Sequence, residues 1–299
     1  MEVSTIQTTG FNPIQMEALD KGMQKRERMR LLIDNIVNQQ SEKYNNLYIY
    51  SPPGLGKTHM VTEYLNRSDM MFHQITGNTS LFAFGIQLAF INYNNPEMLP
   101  VIIYVDDCDE IFKNEQNCNT MKKLLDADKK FVYEKSLASQ WNNLSPEQKD
   151  AITYFGDDGK MGFVVPTHNM RFIFTSNFQL PFEDEVTEAR KKSKNKSVLL
   201  AHRYAIRSRC KVADFDLKTD EHWGWISDVI LNEDCLADEN VTIEEKIHIL
   251  KFLWKNWPYL TERSIRLVEK MVITMRVFPE SYQNVWQIDY LKNNEHGKR

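Results

Sequence analysis

The residues with the clearest chemistry lie in one stretch, Ser51–Thr58, which reads SPPGLGKT. Glycines at 54 and 56 permit a sharp turn, so successive backbone N–H groups can point at one anion. Lys57 suits a phosphate oxygen, and the hydroxyl of Thr58 suits a Mg²⁺ ion. The usual pattern for such a loop begins with glycine, whereas serine stands first here. The stretch is therefore a candidate phosphate-binding loop.

The flanks of this stretch have the pattern that such a loop requires. An apolar strand, Leu47–Tyr50, precedes it, and Met60–Leu65 can form the first turns of a helix. A helix N-terminus adds partial positive charge beside the anion. The alternative is a chance Gly/Pro turn between a strand and a helix. The predicted nucleotide contacts are Pro53, Gly54, Leu55, Gly56, Lys57, Thr58 and His59.

A second group of candidate residues follows the most apolar strand, Val101–Val105. Fully apolar strands suit a parallel sheet that is covered on both faces, and ligands bind at the carboxyl ends of such strands. Asp106 stands at that end, so we expect it to hold Mg²⁺ together with Thr58. Asp107 is expected to orient the attacking water. Asp109 and Glu110 are equally well explained as helix N-terminal caps.

Composition describes an ordinary globular chain of 299 residues with 42% apolar residues and a net charge of −4. That charge excludes binding to DNA by overall electrostatics, so any nucleic-acid contact must come from a local patch. No stretch has the apolar length of a membrane span, and the N-terminus does not resemble a secretory signal. The four cysteines show no C-x-x-C spacing, which favours a reducing cytoplasm.

The pattern of elements changes near residue 218. The predicted core strands are residues 47–50, 70–75, 101–105, 171–175 and 212–217. Amphipathic helices follow from about Thr219, so we predict two domains, 1–218 and 219–299. The first begins with a helix over residues 13–40, whose charged run Lys25–Arg28 is expected to face solvent. A turn at residues 156–159 precedes Gly162–Val165, a candidate hairpin arm.

These motifs resemble those of AAA+ ATPases. Ser51–Thr58 resembles their Walker A sequence GPPGxGKT, and Ile102–Phe112 (IIYVDDCDEIF) is similar to the Walker B pattern hhhhDExDxhF. In this alignment Asp106 takes the position of the metal-binding Asp, and Asp107 that of the catalytic Glu. Aspartate is one methylene shorter than glutamate, which affects the hydrolysis rate rather than nucleotide binding.

Three later segments extend the resemblance over about residues 40–275. Phe172–Asn177 looks like the sensor 1 strand, with Asn177 near the γ-phosphate. Residues 207–210 resemble the SRC box of clamp-loader-type members, which implies that Arg209, or Arg207 as a fallback, reaches the neighbouring subunit's nucleotide. Residues 260–271 resemble the sensor 2 helix and imply that Arg263 lies over the nucleotide. Thr76–Asn78 also resembles phage ATPases.

The resemblance implies an α/β fold with a parallel five-stranded sheet in the order 5-1-4-3-2, followed by a helical lid. It implies ATP and Mg²⁺ as ligands, and self-association into a hexameric or pentameric ring or spiral. The implied activity is ATP-driven remodelling or loading of a macromolecule in DNA replication or processing, as in helicase or clamp loaders. The substrate would be DNA, a DNA-bound protein or a polypeptide, in the cytoplasm of the cell or of a viral host.

Several interpretations stay open at this point. The chain can instead be a nucleotide-switch scaffold that assembles with little hydrolysis, or a small-molecule kinase. Arg203, Arg207 and Arg209 can form a basic helix end that interacts with the helix dipole. Leu81–Gly85 is either an aromatic pore loop or a buried helix face. Arg190–Lys196 either contacts a phosphate backbone or is a solvated loop.

Overall fold

The computed structural model describes residues 10–38, 46–76, 79–126, 128–137, 139–155, 162–192, 194–233, 235–236 and 239–292. The predicted turn at residues 156–159, and residues 77–78 of the Thr76–Asn78 segment, lie outside these ranges. Within them, no helix combines the length and apolar character that crossing a membrane requires.

A five-stranded sheet forms the centre of the larger part of the chain. The described residues contain seven strands, of which five form this sheet and β4 and β5 form a second one. The seven are β1 (Leu47–Tyr50), β2 (Phe72–Ile75), β3 (Val101–Val105), β4 (Lys130–Tyr133), β5 (Phe163–Pro166), β6 (Met170–Ser176) and β7 (Lys211–Asp214). The sheet has the order β2-β3-β6-β1-β7, and every neighbouring pair is parallel. Among the five strands predicted from the sequence this is the order 5-1-4-3-2, so the predicted fold class is confirmed.

Helices cover the sheet and make up most of the C-terminal third. They are α1 (Pro13–Val37), α2 (Lys57–Arg67), α3 (Leu81–Tyr93), α4 (Glu115–Leu125), α5 (Pro146–Phe155), α6 (Glu183–Lys192), α7 (Lys194–Arg207), α8 (Thr219–Asn232), α9 (Ile243–Asn256), α10 (Ile265–Val277) and α11 (Tyr282–Asp289). All five residues of β3 are buried, as its uninterrupted apolar sequence predicts. Because β1, β3 and β6 are parallel neighbours, the loops after them meet at one edge of the sheet.

The candidate hairpin arm pairs with a more distant strand than the sequence indicates. β5 pairs antiparallel with β4, and α5 lies between them in the chain. This small sheet packs on α3, where Phe84 contacts Phe131 with 5.9 Å between ring centroids. Phe84 is fully buried, and Phe82 lies 5.2 Å from Tyr133 by the same measure. Residues 81–85 are thus a packed helix face, and the pore-loop alternative has no support here.

The chain forms two compact units. One contains residues 30–51 and 58–214, and the other contains residues 1–29, 52–57 and 215–299. In the second unit the first half of α1 crosses α8 closely, because a Cβ atom at Gly224 would lie 1.8 Å from the Ala18 carbonyl oxygen. Only glycine permits this approach. The division into domains at residue 218 stays a prediction.

The charged run on α1 differs from its prediction at one residue. Arg26 is 1% exposed, and its guanidinium is ion-paired with Asp228 and Glu233. The prediction that Lys25–Arg28 all face solvent is therefore wrong for Arg26. Charge alone does not reveal burial, since the two carboxylates are about 200 residues away in the sequence and become neighbours only when α1 packs on α8.

Arg26→Met should destabilise the protein strongly, because it leaves two partly or fully buried carboxylates without their cation. The expected loss in free energy of unfolding is about 3–5 kcal/mol, measured by urea unfolding at neutral pH. Arg28→Met is the matched control, since Arg28 is exposed on the same helix. Equal losses in the two variants would contradict a role for the buried network.

Candidate nucleotide-binding site

The candidate loop has the backbone that an anion-binding turn needs. Gly54 and Gly56 have φ angles of +79° and +76°, a region that favours glycine. α2 begins directly after them at Lys57, so the first N–H groups of the helix point toward the loop. The Lys57 ammonium donates to the Pro52 carbonyl at 3.1 Å. The side chain therefore folds back over the loop, where a phosphate would lie.

The same loop is held by helices from the C-terminal third. The Trp225 indole donates to the Leu55 carbonyl at 2.9 Å. The N–H of Ile265, the first residue of α10, donates to the Gly54 carbonyl at 3.0 Å. A Cβ atom at position 54 would lie 2.4 Å from the Cβ of Ser264, which caps α10. Glycine at 54 is required both by the turn and by this packing.

Asp106 connects the phosphate loop to the acidic segment that follows β3. One of its oxygens, Oδ1, accepts hydrogen bonds from the Thr58 hydroxyl at 3.0 Å, from the Tyr104 hydroxyl at 2.8 Å and from the Thr175 hydroxyl. Burial and the nearby Asp106 charge raise the pKa of Tyr104 above its ordinary value, so this phenol stays protonated and donates. The structure thus brings Thr58 and Asp106 together, as predicted for a shared ion.

The residues at this point fit a Mg²⁺ ion. A hydroxyl and a carboxylate are hard oxygen ligands, and Mg²⁺ in nucleotide sites takes one or two such ligands plus phosphate oxygens and water. Thr58 is exposed and Asp106 is half-buried, so both are open to an ion from one side. The described residues therefore offer the ligands that the sequence predicts, with no rearrangement of the strands.

Asp107 has an unusual backbone. Its φ angle is +50°, in the left-handed region that aspartate tolerates better than most residues. Its N–H donates to the Thr175 hydroxyl at 3.3 Å, and its Oδ1 accepts from the Asn177 amide at 2.8 Å. Both side chains are exposed. The predicted water-orienting residue and the predicted sensor residue are therefore direct partners.

Asp109 has a different role from the helix cap that its position suggests. Its carboxylate accepts from the Ser176 hydroxyl and from the N–H of Asn177 at 3.2 Å. It therefore fixes the turn after β6 that carries the sensor amide. Glu110 instead forms an exposed ion pair with Lys113. The sequence did not predict the roles of Tyr104, Thr175 and Ser176 at this site. The one feature that could have indicated them is a polar group within an otherwise apolar strand.

Arg209 does not join this site within one chain. Its guanidinium donates to the Ala205 carbonyl at 2.7 Å and pairs with Asp126 at 3.0 Å. Its backbone carbonyl accepts from Asn46, the residue before β1, at 3.5 Å. Arg209 thus lies beside the beginning of β1, whereas the phosphate loop follows the end of that strand, roughly 13 Å away.

Two further predicted arginines are engaged with nearby groups. Arg207 donates to the Leu180 carbonyl at 3.0 Å, pairs with Asp214 and lies 3.9 Å from the Phe182 ring centroid. Arg263 directly precedes the cap of α10. Its guanidinium donates to the carbonyls of Trp257 at 3.0 Å and Pro258 at 3.3 Å. Arg266, in the first turn of α10, is exposed and was not predicted.

The remaining predicted contacts occupy the loop and its helix. Pro53 is exposed, Leu55 is buried, and His59 is exposed in the first turn of α2. Leu55 is 1% exposed, so its contribution to a ligand is limited to the backbone, whose carbonyl Trp225 already holds.

The family comparison agrees with this geometry. Residues 47–179 match the model of the ATPase family associated with various cellular activities (AAA). The matched range begins at β1 and ends just after Asn177, so it contains the loop, Asp106 and the sensor strand. Curated proteins contain no match to the chain. The parallel sheet and the helical C-terminal region are consistent with an AAA+-type P-loop α/β fold, and the match over residues 47–179 supports ATP binding and ATPase activity.

His222 generates a prediction for pH, because it packs where Arg263 is held. Its ring lies 5.2 Å from the Trp257 ring centroid, and burial lowers its pKa from 6.5 to about 4. Between these values the unfolded chain binds more protons than the folded one. The contribution of His222 to the free energy of unfolding should therefore be fully present above about pH 6.5. It should decrease as the pH falls from 6.5 toward 4. His222→Phe should flatten this slope in urea titrations.

The control for this experiment is His168→Phe, since His168 is exposed in the turn between β5 and β6. That variant should keep the slope of the parent protein. A slope that survives in His222→Phe would assign the pH dependence to other groups.

Proposed function

We propose that the protein hydrolyses ATP with Mg²⁺ in a ring or spiral and uses the energy to remodel or load a macromolecule. The observation that carries the proposal is the hydrogen bond from Thr58 to Asp106, at 3.0 Å. It joins the helix after the phosphate loop to the end of β3, which is the pairing that a nucleotide-bound metal needs. The family match over residues 47–179 supports the same activity.

Each residue then has a defined task. The Lys57 ammonium exchanges the Pro52 carbonyl for the β- and γ-phosphate oxygens. Thr58 and Asp106 would hold Mg²⁺, which would supply positive charge to neutralise the charge that develops on the phosphate. Asp107 accepts from the attacking water and aligns it, and the Asn177 amide holds the Asp107 carboxylate in place. In this arrangement the chain contributes positioning and electrostatic stabilisation rather than covalent chemistry.

The second candidate function is a nucleotide-switch scaffold that assembles on ATP and hydrolyses little. Asp107 supports it, because its carboxylate is one methylene shorter than glutamate and is already committed to Asn177. The two functions differ in steady-state turnover. Measuring phosphate release with and without DNA separates a slow switch from an ATPase that its substrate stimulates.

Asp107→Asn tests the assignment of the water-orienting residue. The amide loses the negative charge that aligns water but keeps the size of the side chain, so ATP should stay bound while turnover falls about 10²–10⁴-fold. Binding is measured with a fluorescent ATP analogue and turnover by phosphate release. Glu110→Gln is the matched control, since the Glu110 carboxylate pairs with Lys113 at the surface. If the control stops turnover instead, the alignment of these acids is wrong.

We also propose that Arg209 acts on the nucleotide of a neighbouring subunit. Its place beside the start of β1 keeps it from its own loop, while a head-to-tail assembly joins that edge to the loop of the next copy. Asp126 pairs with the guanidinium in the single chain and would release it on assembly. We propose an assembly of six or five subunits, and this number rests only on the resemblance to AAA+ ATPases.

Arg209→Ala should leave ATP affinity of the isolated subunit unchanged and lower turnover by about 10³–10⁵-fold. Lys57→Ala should also be inactive, because it loses the phosphate contact. Mixing the two variants should recover activity, since some interfaces then join one intact loop to one intact arginine. Phosphate release by each variant and by the mixture is the measurement.

The outcome against this proposal is an inactive mixture of two variants that still assemble by light scattering. Strict monomeric turnover by the parent protein would exclude it as well. In either case Arg209 would be only a structural cation that bridges Ala205 and Asp126.

DNA is the substrate that we propose for the assembled protein. Arg190, Lys191 and Lys192 are exposed at the end of α6, where three cations can contact phosphates. The side chains of Lys194 and Lys196, which belong to the same predicted basic run, lie outside the described residues. A local patch of this kind is needed because the whole chain carries a net charge of −4.

A further inference from the structure

A polar cleft lies between α4 and the small antiparallel sheet formed by β4 and β5, and Arg209 is one of the residues that line it. It has a volume of about 510 Å³, and its walls include the basic side chains of Lys122, Lys123, Lys135 and Arg209. The nucleotide-site residues named above, apart from Arg209, do not line it. The cleft therefore needs an explanation of its own.

The charges in the cleft do not balance. Four cations face two carboxylates, those of Asp126 and Glu134. Arg209 pairs with Asp126 at 3.0 Å, and Lys123 pairs with Glu134 at 3.0 Å. Two positive charges remain, on Lys122 and Lys135. A surplus of two cations matches a phosphate monoester, whose charge near neutral pH is about −1.5 to −2.

Lys122 is held in place without a counter-charge of its own. Its ammonium lies 2.6 Å from Nδ1 of His202, and the opposite ring nitrogen of His202 contacts Glu115 at 3.3 Å. The Glu115 carboxylate thus contacts the His202 imidazole and not the Lys122 ammonium. Burial, together with the Arg209 charge, lowers the pKa of Lys122. An anion in the cleft would remove that penalty and stabilise the ammonium.

The second surplus cation is more exposed. Lys135 follows β4, and within the described part of the chain it has no hydrogen-bond or ion-pair partner. The neutral side chains of Asn119 and Thr120 also line the cleft and supply further hydrogen-bonding groups. Lys122, which contacts His202, and the exposed Lys135 together suit an anion that enters the cleft from solvent.

We propose that this cleft is a binding site for a terminal phosphate group, such as that of a phosphate monoester, held by Lys122 and Lys135 with Arg209 and the polar groups of α4 beside it. The ligand has two sources of the same chemistry. One is the terminal phosphate of the nucleotide on a second copy of the chain, an alternative that rests on the proposed function. The other is a free phosphate monoester, which does not.

Calorimetric titration with inorganic phosphate tests the site in the Lys57→Ala protein, whose phosphate loop is disabled. Phosphate should bind, and adding Lys122→Gln or Lys135→Gln should weaken binding about tenfold or more, as expected for loss of a charge-assisted hydrogen bond. Lys135→Gln is the safer variant for folding, because this side chain is exposed. Lys255→Gln is the control, an exposed lysine at the end of α9 with the same change of charge.

Absence of phosphate binding, or equal affinities in Lys135→Gln, Lys122→Gln and Lys255→Gln, would overturn the site. ATP turnover by the Lys135→Gln variant, with Lys57 intact, distinguishes the two sources of the phosphate group. Reduced ATP turnover there identifies the nucleotide of a second copy, while unchanged turnover identifies a free monoester. If the parent protein hydrolyses no ATP but phosphate still binds through these lysines, the proposed function fails and the cleft site stands.

Discussion

A single carboxylate oxygen of Asp106 receives three hydroxyl groups, and the candidate site is organised around this interaction. The donors come from three places: the helix after the phosphate loop, β3 itself and the neighbouring strand β6. A carboxylate at the end of a buried strand needs such partners, since an unpaired charge there would be costly. The same bonds therefore stabilise the sheet edge and align the groups that would bind a metal.

Two aspartates that follow Asp106 in the sequence, Asp107 and Asp109, extend the alignment. Asp107 engages the Asn177 amide, and Asp109 engages the backbone of the same asparagine. The turn after β6 is thus fixed by two neighbouring acids from the turn after β3. This explains why a run of acidic residues occurs at the end of an apolar strand. Each accepts a different hydrogen bond, and only the exposed Glu110 is left to a surface ion pair.

The phosphate loop depends on the C-terminal helices as well as on its own glycines. Trp225 and the first turn of α10 hold the carbonyls of Leu55 and Gly54. α8 is in turn packed on the N-terminal half of α1, where Arg26 is buried against Asp228 and Glu233. The loop's backbone bonds therefore end on two helices, and one of these helices is fixed by a buried ion-pair network.

Local patterns were sufficient for much of this protein. The loop Ser51–Thr58, the five core strands and the acid at the end of β3 were all predictable, since glycine spacing and apolar runs express constraints within a few residues. The order of the strands in the sheet followed instead from the resemblance to AAA+ ATPases. Tertiary structure decided the rest. It buried Arg26, paired β5 with β4 across α5, and placed Tyr104 and Thr175 on Asp106. Each of these contacts joins residues from different elements, apart from Tyr104 and Asp106. No local pattern records which polar side chain will meet which partner when strands and helices pack.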